Sequence, residues 1–257
     1  MRDQPDHVQT QVWQAGELSR REDRVARESA VALVYNGVSH VVMMLTPHDL
    51  EDFALGFSLS EGIVHDRNEL LGVDVVAQRD GLELQLEITT QRFAQLKERR
   101  RNLTGRTGCG LCGAESLEQA VVPARPVTPP PALVPEVVQN ALHQLDASQP
   151  LQAETGAVHG AMWCNLEGQI LLAREDVGRH NALDKLLGAL RKSDLETHGF
   201  VLITSRASYE MVNKVAAFGL STLVAVSAAT SLAIEQAGAC GMQLIGFARP
   251  GRQVRYT

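Results

Sequence analysis

Two cysteines framed by glycines are the first residues in this chain that could do chemistry. In Arg106-Thr107-Gly108-Cys109-Gly110-Leu111-Cys112-Gly113, Cys109 and Cys112 stand in C-x-x-C spacing among three glycines. So little side-chain bulk lets a partner or ligand approach the backbone closely. Residues 92–106 carry Arg92, Lys97, Arg99, Arg100, Arg101 and Arg106 against the single acid Glu98, a local balance of +5. Positive surroundings favour the thiolate, which is the nucleophile in sulfur exchange. One chemistry is therefore a cysteine that attacks a donor's terminal sulfur and carries it as a persulfide. The same spacing also serves a zinc half-site, a redox disulfide or a packed loop. Zinc would need two more ligands, and His159 with Cys164 is the nearby pair of suitable type. On a strand those two positions point to opposite faces, which weighs against zinc.

A second cluster is Arg174-Glu175-Asp176-Val177-Gly178-Arg179-His180-Asn181-Ala182-Leu183-Asp184-Lys185. Ala182, Leu183, Leu186, Leu187 and Leu190 form the apolar face of a helix. His180 with Asp184, and Asn181 with Lys185, are i,i+4 neighbours off that face. A solvated helix capped by Asp176 is the plain alternative. The density of polar groups at the helix start favours recognition of a base, ribose or phosphate by Asp176, His180 and Asn181.

Two strand-loop-helix junctions follow. FVLIT leads into Ser205-Arg206-Ala207-Ser208, and TLVAV into Ser227-Ala228-Ala229-Thr230-Ser231. Each sets hydroxyls and backbone N–H groups at a helix N-terminus, where a phosphate is favoured. Ligands of α/β sheets also gather at the carboxyl ends of strands. Taken singly, Ser208 and Ser231 would serve as N-caps. Phe247-Ala248-Arg249-Pro250-Gly251-Arg252 adds two arginine forks that suit phosphate, or two solvated surface arginines.

The elements that must position these groups are legible from pattern. Residues 1–27 mix charges with little apolar order and are expected to be a loose tail. VALVY and VSHVVMML flank Asn36-Gly37, a hairpin signal. Thr46-Pro47-His48-Asp49 reads as a helix start with Thr46 as cap and Asp49 completing a capping box. Leu50, Phe53, Ala54, Phe57 and Leu59 supply its apolar stripe, and Gly62 stops it. VDVVA and LELQLEI form a second hairpin around Asp80-Gly81. Six of the ten prolines fall in residues 123–135, which reads as a linker between an α+β part (28–122) and an α/β part (136–257). In the second part, strands are expected near 157–164, 169–173, 200–204, 222–226 and 243–247. Helices are expected near 179–191, 208–219 and 230–238.

Composition narrows the function classes. The 257 residues hold 24 Lys+Arg against 30 Asp+Glu, a net charge of −6. An acidic balance argues against a general nucleic-acid binder, so an anionic ligand must meet a local basic cluster. Four cysteines are too few for a disulfide scaffold. The N-terminus lacks an apolar h-region, and the apolar run 216–234 reads as strand plus helix. A soluble, cytoplasmic protein with no membrane span is expected.

GCGLCG, TGAVHGA, REDVGRHNALDK, SRASYEMVNKVAAFGL and SAATSLAIEQA, in this order, closely resemble the FdhD family of sulfur carrier proteins, or formate dehydrogenase accessory sulfurtransferases. EDVGRHNALDK is the most specific element, and the resemblance runs from about Glu28 to Tyr256. Ala229 and Ala157 stand where the family usually has a proline and a second glycine. The resemblance implies a cytidine-deaminase-like three-layer core in the C-terminal half and a homodimer. It also implies a sulfurtransferase that takes sulfur from a cysteine desulfurase. The acceptor it implies is the molybdenum (or tungsten) bis-guanine-dinucleotide cofactor, which is sulfurated before insertion into formate dehydrogenase. By motif, Cys109 is the persulfide cysteine, Cys112 its partner, and Phe247–Arg252 the cofactor-binding segment. Arg206, Ser208 and the helix N-termini would add anion contacts, and GDP should act as an analogue of half the cofactor. A non-catalytic cofactor chaperone and a zinc-dependent nucleobase hydrolase are the competing classes. The deaminase signature, with H-x-E before P-C-x-x-C, is not matched.

Overall fold

The computed structural model describes residues 5–103 and 122–257. Two hairpins build its N-terminal sheet. β3 (Ser29–Tyr35) and β4 (Val38–Leu45) turn at Asn36-Gly37 with φ of 46° and 79°, the positive pair that a type I′ turn needs. β5 (Leu70–Gln78) and β6 (Gly81–Ile88) make the second hairpin. A parallel pairing of β3 with β6 joins them in the order β4-β3-β6-β5. The period of two turns Val31, Leu33 and Tyr35 of β3, with Leu84, Leu86 and Ile88 of β6, to one buried face. Helix α1 (Leu50–Ser60) shares that core through Phe53, Ala54 and Phe57. Helix α2 (Thr90–Leu103) follows β6.

The stretch expected to be a loose tail is a hairpin. β1 (Asp6–Gln14) pairs antiparallel with β2 (Glu17–Val25) around Ala15-Gly16, both in positive φ. Its strands are almost wholly exposed, so no apolar alternation announced it. Trp13, 71% exposed, faces Leu18 across the ladder.

The C-terminal half is a six-stranded sheet in the order β12-β11-β10-β9-β7-β8. Its strands are β7 (His159–Cys164), β8 (Ile170–Asp176), β9 (Phe200–Ile203), β10 (Thr222–Ala225), β11 (Gln243–Arg249) and β12 (Arg252–Arg255). β9, β10 and β11 run parallel, and the other pairings are antiparallel. Helices α3 (Pro135–His143), α4 (Pro150–Thr155), α5 (Arg179–Lys192), α6 (Tyr209–Ala217) and α7 (Ser231–Cys240) complete the chain. Alternation along β9 shows the layering: Val201 and Ile203 pack with Leu183, Val212 and Ala233, whereas Phe200 and Leu202 pack with Val138 and Leu142. So α5, α6 and α7 cover one face and α3 the other. This is the mixed α+β class expected, with three layers in the second half.

The two halves share one core. α1 lies against α5, and a β-carbon on Gly56 or Gly188 would run into the backbone carbonyl of Asp184 or Asp52 on the facing helix. The proline-rich stretch between the halves is a packed strap rather than a free linker. Its backbone N–H groups at Ala124, Val127 and Leu133 donate to Gln236 Oε1 (2.8 Å), Cys240 O (2.9 Å) and Gln243 Oε1 (3.3 Å). Among the described residues, no helix is long and apolar enough to cross a membrane.

The expected cap of α1 also differs. The helix begins at Leu50 with Asp49 as N-cap in a left-handed conformation (φ 51°), and no side chain caps it. The Thr46 hydroxyl is drawn instead to Asp176 and Lys185 of the other half. Hydrogen bonds to charged groups are roughly twice as strong as neutral ones, so the buried ions win it.

Candidate functional site

The carboxyl ends of β9, β10 and β11 form one edge, and antiparallel pairing brings the start of β7 and the end of β8 to the same edge. The loops there are knit together. Ala207 N–H donates to Ala228 O (3.0 Å), Thr230 N–H to Ala207 O (3.0 Å) and Phe247 N–H to Ser227 O (2.9 Å). Thr230, not Ser231, caps α7 by accepting from Ala233 N (3.3 Å). Ser208 occupies the N-cap position of α6 but makes no capping bond, and its buried Oγ finds no partner among the described residues. Arg206 is exposed beside it. The edge thus offers two helix N-termini and a guanidinium, the donors an anion needs.

The segment Phe247–Arg252 forms the adjoining tip. Phe247 holds a left-handed backbone (φ 48°), and the Arg252 guanidinium lies 5.1 Å from its ring centre. A non-glycine residue held there costs of order 1–3 kcal/mol. Ala248 is buried, while Arg249, Pro250, Gly251 and Arg252 are exposed. Gln139 of α3, which the sequence did not single out, holds the tip. It accepts from Gly251 N (2.8 Å) and donates to Arg249 O (3.2 Å).

The polar residues at the start of α5 separate into two groups. Asp176 and Asn181 are 0% and 4% exposed, and the Asn181 amide donates to Asp176 Oδ1 (3.0 Å) and Met44 O (2.9 Å). They face inward, to protein partners. His180 is half-buried, with Nε2 2.8 Å from Glu210 Oε2 of α6. Burial pulls its pKa below the ordinary histidine value despite the Glu210 carboxylate. The helix-neighbour pairs therefore give way to tertiary ones: His180 meets Glu210, Asp184 meets Lys214, and Asn181 and Lys185 converge on Asp176.

Beside this edge lies a cleft of about 410 Å³, lined by Ser60, Glu61, Arg99, Tyr209, Glu210 and Lys214 among others. Its floor is an ion cluster in which Lys214 and Asp184 are buried and Glu61 is half exposed. Lys214 Nζ donates to Ser60 Oγ (2.9 Å), Glu61 Oε1 (2.9 Å) and Asp184 Oδ2 (2.9 Å). Burial opposes the ammonium, but Asp184 and Glu61 outweigh it and hold its pKa above the usual lysine value. Sequence reasoning missed Lys214, Glu61 and Glu210. Their one local signal is an i,i+4 Glu-Lys pair on α6, because the partners lie far away along the chain.

Cys109, Cys112 and Arg106 lie outside the described residues. The flanks of that segment are described, and both reach the cleft: Arg99, in the last turns of α2, and Val122 line it. Arg99 Nη1 donates to Glu61 O (3.0 Å), and Val122 O accepts from Asn213 Nδ2 (2.8 Å). His159 and Cys164 stand at opposite ends of β7, with Cys164 buried in the core beneath α3. They form no ligand pair.

Comparison with known proteins agrees with this chain over nearly its whole length. The model of the FdhD/NarQ family matches residues 26–257. A sulfur carrier protein FdhD from Cupriavidus necator is 53% identical over 246 residues, covering 95% of this chain and 85% of the relative. The crystal structure of a proposed formate dehydrogenase accessory protein from Desulfotalea psychrophila superposes with a TM-score of 0.73 at 22% identity. That match covers 99% of this chain and 97% of the other.

Proposed function

The chain belongs to the FdhD/NarQ family, and from that premise we propose that it is a sulfur carrier that serves formate dehydrogenase. Cys109 accepts sulfur from a cysteine desulfurase and passes it to the molybdenum bis-guanine-dinucleotide cofactor before insertion into the enzyme. The observation that carries this reading is the cleft. Arg99 and Val122, on the two flanks of the C-x-x-C segment, share it with Tyr209 and Glu210 at the start of α6. The segment that holds the C-x-x-C motif thus connects to the described structure at a cleft beside the sheet edge where an anion is favoured.

In the loading step the Cys109 thiolate attacks the terminal sulfur of the desulfurase persulfide. The donor's sulfur–sulfur bond breaks, its cysteine leaves as a thiolate, and a new persulfide forms on Cys109. Cys112 assists or resolves. The cofactor is cargo, a pair of guanine nucleotides whose pyrophosphates need donors. The N-termini of α6 and α7, Arg206, and the Arg249–Arg252 tip supply them, and the protein works as a homodimer. Incubation with a desulfurase and cysteine, followed by peptide mass mapping, tests the reading. One added sulfur atom on Cys109, and loss of formate dehydrogenase maturation in Cys109→Ala, are expected. A Cys109→Ala protein that still matures the enzyme at the normal rate leaves only a cofactor chaperone.

A further inference from the structure

A buried polar node ties the N-terminal half to the start of α5. Thr46, Asp176 and Lys185 are each 0% exposed. Asp176 Oδ2 accepts from Thr46 N (3.0 Å), from the Thr46 hydroxyl (2.8 Å) and from Lys185 Nζ (2.6 Å). Its Oδ1 accepts from Gly178 N (2.8 Å) and Asn181 Nδ2 (3.0 Å). Lys185 Nζ also donates to the Thr46 hydroxyl (2.6 Å) and to Thr46 O (3.1 Å). The hydroxyl therefore both donates to the anion and accepts from the cation. Serine or threonine can do this, and an isosteric valine cannot.

We propose that Thr46 is a positioning residue for sulfur transfer: with Asp176 and Lys185 it sets the half that leads to the C-x-x-C segment in register with the start of α5, at the sheet edge that carries the N-termini of α6 and α7. The inference rests on the sulfur-carrier reading above. Thr46 sits between β4 and α1, and α1 ends at Ser60 beside the cleft. Asp176 ends β8 and holds Gly178, the N-cap of α5, by its backbone N–H. The apolar core that runs through both halves already holds them together. Replacing a buried ion pair by apolar groups is often neutral or stabilising, so this node is a costly way to add adhesion. What it adds is direction, because a fully bonded polar network tolerates one arrangement where apolar side chains tolerate several.

The test uses the full chain with Thr46→Val, Thr46→Ser, and a triple variant, Thr46→Val/Asp176→Asn/Lys185→Met, that removes both charges yet keeps a side-chain oxygen for Gly178 N and Asn181 Nδ2. Four quantities are read: the unfolding midpoint, GDP affinity, persulfide loading from a desulfurase, and formate dehydrogenase maturation. Thr46→Val should load sulfur and bind GDP as wild type does, yet mature the enzyme about ten- to a hundredfold more slowly, the scale of a small misplacement. Thr46→Ser should restore maturation. The triple variant guards against a defect of the ion pair alone: with the Gly178 and Asn181 donors still satisfied it should stay folded at the assay temperature and still mature the enzyme slowly. Normal maturation by the triple variant, or a loss in Thr46→Val that tracks only the unfolded fraction, would overturn the positioning role. If wild type neither loads sulfur nor binds GDP, the sulfur-carrier reading fails instead. In that case, amide exchange at Gly178–Asn181 decides the node: faster exchange in Thr46→Val supports the register role, and unchanged exchange refutes it.

Discussion

Gly56 of α1 sits against the backbone carbonyl of Asp184 in α5, so close that no β-carbon fits between them. The contact brings the N-terminal sheet and the C-terminal sheet into one core, and it places Ser60 and Glu61 beside Lys214. Gly56→Ala should force the helices apart and cost about 1–3 kcal/mol or more, as overpacking does. A lower urea midpoint with an unchanged slope would register it. An unchanged midpoint would mean that the helices shift without cost.

Lys214→Met leaves the Asp184 carboxylate buried with, among the described residues, the Ser60 hydroxyl as its remaining side-chain donor. Stranding one member of a buried pair costs about 3–5 kcal/mol. Asp184→Leu/Lys214→Met should recover most of that loss. Chemical unfolding of both variants checks this, and a double variant as unstable as the single one would refute it.

Glu61 gives the acid limb of stability a sign. Burial works to raise its carboxyl, but Lys214 and Arg99 outweigh this and hold it below the ordinary glutamate value. A carboxylate depressed in the folded state stabilises above its unfolded pKa, and that contribution is lost as pH falls through the folded value. Unfolding midpoints measured from pH 6 down to pH 3, an interval chosen around that value, should fall less steeply for Glu61→Gln. Parallel curves would rule out the effect.

Cys164 and Cys240 are buried, and burial pushes the Cys164 thiol up to about 12. Neither should react with an alkylating agent in the native protein near pH 8, because the thiolate is the reactive form. Mass mapping should find label on Cys109 and Cys112. Rapid native labelling of Cys164 would show that the second half opens locally.

The Arg249–Arg252 tip makes a binding prediction. Removing one phosphate-pairing arginine should cost about 1.5–3 kcal/mol, roughly ten- to a hundredfold in affinity. Calorimetric titration of GDP into Arg249→Ala and Arg252→Ala proteins measures each. Wild-type affinity in both would take the tip out of the site.

Local pattern determined much of this protein. Asn36-Gly37 made the first hairpin because it tolerates the positive φ of its turn. The apolar stripe of Ala182, Leu183, Leu186, Leu187 and Leu190 made α5, and the alternation of strands and helices after residue 156 made the layered half. The C-x-x-C, REDVGRHNALDK and SRASYEMVNKVAAFGL motifs also gave the family. Such signals reach across a few residues, where backbone preference and periodicity act.

Tertiary structure decided the partners. His180 and Asp184 are helix neighbours, yet they bond to Glu210 and Lys214. Thr46 reads as a cap in the sequence, yet α1 starts after Asp49 and Thr46 becomes part of a buried node instead. Asp176 and Asn181, polar and beside a glycine, looked ready for a ligand but are buried. The β1–β2 hairpin was hidden because its strands bury too little for any apolar pattern to show. In each case the outcome depends on which distant group shares a low-dielectric interior. That strengthens ionic hydrogen bonds over local ones, and only the folded chain fixes which groups meet there.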